Sequence, residues 1–107
     1  MANAKIRLPE KARKGEIIEI RALAQHAMES GFRLDELGRK IPRHIINTFV
    51  CTYNGNEIFR ATLHPAVAAN PYLAFYLVAT VSGEIVCTWN DDRGGVVTEK
   101  ASLVVVE

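Results

Sequence analysis

The stretch from His44 to Leu63 constrains this chain more than any other. His44 to Tyr53 alternates, with Ile45, Phe49, Cys51 and Tyr53 on one side and Ile46, Thr48, Val50 and Thr52 on the other. Residues two apart share a face in an extended strand, so this period indicates a strand. Asn54-Gly55 follows, and Glu57 to Leu63 then returns as a second strand. A two-residue type I′ turn needs positive φ at both central positions, which Asn and Gly tolerate best. The segment is therefore expected to be a β-hairpin.

The same reading extends in both directions. Lys5 to Leu8 is expected as a short strand stopped by Pro9, which has no N–H to give to a ladder. A charged turn through Lys11, Arg13, Lys14 and Gly15 leads into a strand from Glu16 to about Ala24, with Ile18, Ile20 and Ala22 on one face. His26 to Arg43 is polar, carries Gly31, Gly38 and Pro42, and is expected to be a long loop or irregular hairpin, with room for one helical turn at Leu34 and Leu37. His64 to Pro71, bracketed by prolines, is expected to be a crossover loop. Tyr72 to Thr80, Glu84 to Asn90 and Val96 to Val106 complete the strands, with turns at Ser82-Gly83 and through Asp91-Asp92-Arg93-Gly94-Gly95. In the sixth of these strands Ile85, Cys87 and Trp89 face inward. About seven short antiparallel strands with regularly spaced turns predict an all-β immunoglobulin-like β-sandwich of two sheets.

With 107 residues the chain is the size of one domain, and 1–107 reads as a single unit. Its 13 basic and 12 acidic residues nearly cancel. Neutralising a phosphate backbone requires a basic excess, so nucleic acid is not expected as a partner. No apolar run approaches the roughly 20 residues of a membrane-spanning helix, and Met1 to Pro9 lacks the apolar centre of a signal peptide. Taken alone, those features predict a cytoplasmic protein without a membrane partner.

Reactive constellations are sparse. His26, His44 and His64 match no metal-ligand spacing and fall at strand ends or in loops, where solvent-facing histidines are common. No metal and no cofactor is expected. Cys51 and Cys87 lie on the inward faces of their strands beside Phe49 and Trp89. A thiol in apolar surroundings keeps a high pKa and is a poor nucleophile. Both are expected to be small core residues, the alternative being a disulfide between them or to a partner. Asp91 and Asp92 read as turn residues, and Gly94-Gly95 lacks the helix and lysine of a phosphate loop. No catalytic residue is assigned.

Two features point to binding instead. In Tyr72 to Val78, Leu73, Phe75 and Leu77 can fill a core while Tyr72, Ala74, Tyr76 and Val78 point the other way. Leu103 to Val106 is apolar on both faces too. A two-layer sandwich normally leaves one face of each strand polar, so an apolar outer face marks an interface. The expected partner surface comprises Tyr72, Tyr76, Val78, Val104 and Val106, with the basic loop residues Arg33, Arg39, Lys40 and Arg43 as an electrostatic docking element.

The residues Ile41-Pro42-Arg43-His44-Ile45-Ile46-Asn47, Tyr53-Asn54-Gly55, Leu63-His64-Pro65-Ala66-Val67-Ala68-Ala69-Asn70-Pro71-Tyr72 and Thr88-Trp89-Asn90-Asp91-Asp92 together resemble the SoxZ family of the bacterial sulfur-oxidation (Sox) system. Met28-Glu29-Ser30-Gly31 fits the family's early loop, with Ala27 where proline is expected. The resemblance implies a non-catalytic subunit that forms a heterodimer with SoxY, whose Gly-rich C-terminal arm carries the sulfur intermediates on a cysteine. This sequence has Leu103-Val104-Val105-Val106-Glu107 in place of such an arm, which matches the SoxZ half. The resemblance also implies a periplasmic location reached by export with the signal-bearing SoxY, transient contact with the other Sox enzymes, and a homodimer as a substitute pairing in isolation. An oxidising compartment would favour a disulfide at Cys51 or Cys87. Two other readings stand beside it. One is a small β-sandwich ligand- or metal-binding module using the histidines with Tyr53 or Trp89. The other is a redox enzyme using Cys51 or Cys87.

Overall fold

Alternating burial runs along most strands of the chain. In β7 (Gly83–Asp91) Ile85, Cys87 and Trp89 are buried while Glu84, Val86 and Thr88 are not. The same period runs through β3 (Ile17–Gln25), where Ile18, Ile20, Ala22 and Ala24 are buried. The computed structural model describes residues 3–107, and those residues form eight strands in two sheets with no helix among them. One sheet has the order β1 (Asn3–Arg7), β3, β6 (Tyr72–Val78). The other has the order β2 (Lys11–Arg13), β8 (Val96–Val106), β7, β4 (Ile46–Tyr53), β5 (Asn56–Thr62). This is the all-β, immunoglobulin-like sandwich expected from the alternation.

Two details differ from the sequence expectation. Lys11 to Arg13 is a strand and not part of a turn, which makes eight strands instead of seven. It pairs parallel to β8, with Ala12 opposite Val105, so the ladders are not all antiparallel. The reason lies at Pro9. The chain leaves the first sheet there, steps to the second, and buries Ala12 in the core between charged neighbours that point out. The second difference is in β4. A register irregularity between Ile46 and Thr48 brings Ile46 into the core beside Ile45, although alternation would place it on the opposite face. A bulge adds a residue and rotates its neighbours, which breaks the period of two locally.

The turns follow their chemistry. Asn54 and Gly55 have φ of 51° and 83°, the positive values a type I′ hairpin requires. Residues 26–45 form an irregular hairpin held by two isolated bridges, Glu29↔His44 and Leu34↔Lys40, with no helical turn at Leu34 or Leu37. Gly31 has φ of 89°, and a Cβ there would sit 3.0 Å from that of Arg43, so the two limbs can approach only at glycine. Residues 64–71 are a crossover loop, also without a helix.

The core is organised around aromatic rings that join both sheets. Phe49 of β4 lies 5.1 Å from Trp89, 5.9 Å from Phe75 and 6.1 Å from Phe59 between ring centroids. Phe59 and Phe75 stack at 4.4 Å. At one end of this core the Tyr53 hydroxyl accepts the amide protons of Thr80, at 3.3 Å, and Val81, at 3.0 Å, and donates to the Val81 carbonyl. Tyr53→Phe keeps the ring and strands those groups. It is expected to cost about 1–2 kcal/mol in urea unfolding. A cost near zero would show that water replaces the hydroxyl.

Candidate functional site

The outer face of the three-stranded sheet is set by the β3–β6 register. Ile17 lies opposite Val78, Glu19 opposite Tyr76, Arg21 opposite Ala74 and Leu23 opposite Tyr72. Because Ile18, Ile20, Leu73, Phe75 and Leu77 turn inward, these residues turn outward. Tyr76 is 69% exposed, Ile17 67% and Tyr72 56%. Glu19 and Arg21 form an ion pair at 2.5 Å between the two apolar ends. Lys5, Arg7, Arg21, Leu23 and Tyr72 line a shallow depression on the same face. β6 is also an edge strand, so one side of its backbone is unpaired within the sheet.

Val104 and Val106 do not belong to this patch. They point outward from β8 while Leu103 points into the core, and β8 is part of the other sheet. Of the five apolar residues singled out from the sequence, the structure therefore groups Tyr72, Tyr76 and Val78 and separates the two valines from them. Ile17 and Leu23 complete the first group. Alternation along β3 carries the signal for both, since Leu23 sits between buried Ala22 and Ala24 and Ile17 precedes buried Ile18, but apolar inner positions alone do not show that the outer ones are apolar too.

The basic loop residues are for the most part already paired. Arg33 reaches Glu29 at 2.5 Å and Arg39 reaches Asp35 at 3.0 Å. Arg43 donates to both carboxylate oxygens of Asp92, at 2.8 and 2.9 Å. Lys40 makes no ion pair among the described residues. Asp92 also accepts from the Ile45 amide at 3.1 Å and from Asn47 Nδ2 at 3.0 Å. The Arg43 guanidinium, helped by Asn47 and the Ile45 amide against the opposing effect of burial, holds the Asp92 carboxyl well below the usual carboxylate range. What the loop offers instead is apolar: Phe32, Leu34 and Leu37 are all exposed.

The histidines depart from the sequence expectation. His64 is exposed, but His26 is buried and His44 is largely covered, and both face Asp91. Their rings meet edge to face with centroids 4.7 Å apart. His26 follows β3, His44 precedes β4 and Asp91 ends β7, so the fold, not a local spacing, assembles the group. Burial, and then the neighbouring His44 ring, lower the His26 pKa and so disfavour its charged form. Burial pushes the Asp91 carboxyl up, but the Gly95 and Arg93 amides and His44 outweigh it and hold it below its ordinary value.

Cys51 and Cys87 are cross-strand neighbours, fully buried and free. The adjacent Cys51 thiol, and then burial, push the Cys87 thiol up. The pair fits the expected core role.

Comparison with known proteins adds a family and a fold. The family model described as sulphur oxidation protein SoxZ matches residues 6–102. No curated protein matches the chain. Among solved structures, the SoxY sulfur carrier protein of Chlorobium limicola f thiosulfatophilum superposes with a TM-score of 0.72 at 10% identity, covering 100% of this chain and 82% of its own. The superoxide reductase (neelaredoxin) of Ignicoccus hospitalis gives 0.70 at 17% identity, covering 96% and 80%. A putative superoxide reductase of Thermotoga maritima gives 0.72 at 17%, covering 97% and 86%. At these identities the likeness is one of fold.

Proposed function

The chain belongs to the SoxZ family of sulphur oxidation proteins, and from that premise we propose that it is the non-catalytic subunit of a sulfur-carrier complex. It binds SoxY and supports presentation of the partner's sulfur-loaded cysteine arm to the Sox enzymes, which touch the complex transiently. Its place of work is the periplasm, reached in company with SoxY. The observation that carries this reading is the exposed apolar face of β3 and β6, centred on Tyr72, Tyr76, Val78, Ile17 and Leu23. Tyrosines combine large apolar area with a hydroxyl that remains hydrogen-bonded, which is why they anchor interfaces. Lys5 and Arg7 beside them favour acidic side chains on the partner at the rim. In isolation the same face supports a homodimer that SoxY displaces. Val104, Val106 and the loop with Arg33, Arg39, Lys40 and Arg43 form a second, weaker contact region.

Co-expression with SoxY and size-exclusion chromatography test the reading. One co-eluting species with the mass of a 1:1 complex is expected, and two separate monomer peaks would overturn it. Tyr72→Glu with Tyr76→Glu places two charges in the buried centre of the interface and is expected to weaken association by at least about 100-fold. If Val104→Glu with Val106→Glu has that effect and the tyrosine pair does not, the partner surface lies on the other sheet.

A further inference from the structure

His26, His44 and Asp91 offer one ligand atom each within 4.8 Å of one another, at one end of the sandwich. Asp91 Oδ2 lies 3.2 Å from His44 Nε2 and 3.9 Å from His26 Nε2, and the His26 and Asp91 side chains are only 4% and 2% exposed. Both Nε2 atoms are buried: His26 Nε2 has no hydrogen-bond partner, and the only polar neighbour of His44 Nε2 among the described residues is Asp91 Oδ2, out of line for a hydrogen bond. Buried polar atoms are almost always paired, so an unpartnered His26 Nε2 beside a second imidazole and a carboxylate oxygen calls for an explanation.

The surroundings fix the Asp91 carboxylate directly and the two histidines through their backbones. Asp91 Oδ1 accepts the amide protons of Arg93 at 2.9 Å and Gly95 at 2.7 Å, which orients the carboxylate and leaves Oδ2 facing the histidines. The His26 backbone is clamped by Asn70, whose Oδ1 accepts from the His26 amide at 3.0 Å and whose backbone amide donates to the His26 carbonyl at 2.8 Å. His44 is fixed by two backbone bonds with Glu29, at 2.8 and 2.9 Å. Supporting hydrogen bonds of the kind Asp91 receives are what orient a ligating carboxylate. His44, with 22% of its side chain exposed, gives access from solvent.

We infer that His26, His44 and Asp91 form a three-ligand site for a divalent transition ion of the zinc and copper class. Two imidazoles and one carboxylate suit such borderline ions, and three protein ligands leave a coordination position open. One contact must change on binding. The Met28 amide donates to His26 Nδ1 at 2.9 Å, so the neutral ring carries its proton on Nε2. Ligation through Nε2 moves that proton to Nδ1 and releases the Met28 amide. Three bonds to the ion outweigh one amide hydrogen bond.

Equilibrium dialysis of the metal-stripped chain, without any partner, against Zn2+ and separately Cu2+ tests the site. One ion per chain is expected, held more tightly for Cu2+. His26→Gln, His44→Gln and Asp91→Asn are each expected to lower affinity by roughly 100-fold, at or beyond the 10–100-fold typical of losing a supporting contact. His64→Gln is expected to change nothing. Two readouts need no variant. Cu2+ quenches Trp89, which is two residues from Asp91 on the same face of β7, and Zn2+ shifts the Met28 amide resonance. Absence of stoichiometric binding to the folded wild-type chain, binding that survives His26→Gln with His44→Gln, or binding lost in His64→Gln would each overturn the site. All of this is independent of SoxY, so failure here leaves the carrier-subunit reading untouched.

Discussion

Phe49→Ala is expected to destabilise the fold by about 3–5 kcal/mol, a large share of the roughly 5–15 kcal/mol available to a domain of this size. Phe49 is fully buried and is the one ring that touches Phe59, Phe75 and Trp89, so its loss opens a cavity shared by β4, β5, β6 and β7. Because β6 belongs to the other sheet, the cavity lies between the layers, and neither can collapse into it without moving against the other. In thermal unfolding this corresponds to a fall in Tm of roughly 15–30 °C. Phe49→Leu keeps most of the volume and is expected to cost no more than about 1.5 kcal/mol. Equal losses in the two variants would mean that volume is not what Phe49 contributes.

Asp92→Ala is expected to cost about 2–4 kcal/mol at neutral pH, with a signature in its pH dependence. The side chain ties the turn between β7 and β8 to residues 43–47 through Arg43, Ile45 and Asn47. Removing it strands the Ile45 amide and leaves Arg43 without its partner. Because the Asp92 pKa is lowered on folding, its contribution is fully present above the ordinary carboxylate value of about 3.9 and drains away as pH falls through the lower folded value. The gap between wild type and variant, measured by urea unfolding, is expected to be constant from about pH 7 to about 5 and to narrow below about 4. A gap that stays constant into strong acid would show that the cost is one of packing and not of the charge.

How much of this molecule is legible in its sequence follows from the range of the signals. The β4–β5 hairpin is legible because both its parts are local: a period of two, and an Asn-Gly pair that tolerates positive φ. The outward tyrosines are legible for a similar reason, since Leu73, Phe75 and Leu77 already fill the inner face of β6. Which sheet each strand joins is not, and so Val104 and Val106 fall on a different face from the tyrosines with which their pattern groups them. β2 is hidden because three residues with a single buried alanine carry almost no periodicity, and a parallel partner leaves no turn to betray it. The histidine cluster is hidden because His26, His44 and Asp91 are far apart along the chain. The pairing of β4 with β7 and the packing of the end of β3 against them bring the three together, with Met28, whose sulfur accepts the Ile46 amide proton at 3.3 Å, holding the start of the 26–45 loop in place.

The pairing of Ala12 with Val105 also governs how the molecule comes into being. The second sheet closes at that edge only when Lys11 meets Val104, so a nascent chain cannot complete its native sheet until both have left the ribosome's tunnel. Closure must search across nearly all of the residues between them, which places folding in the slow, millisecond-to-second regime of non-local β topologies. Until then β8 presents an uncovered edge to the crowded cell, and an early-arriving partner that covers it would act as a folding template as much as a binding mate.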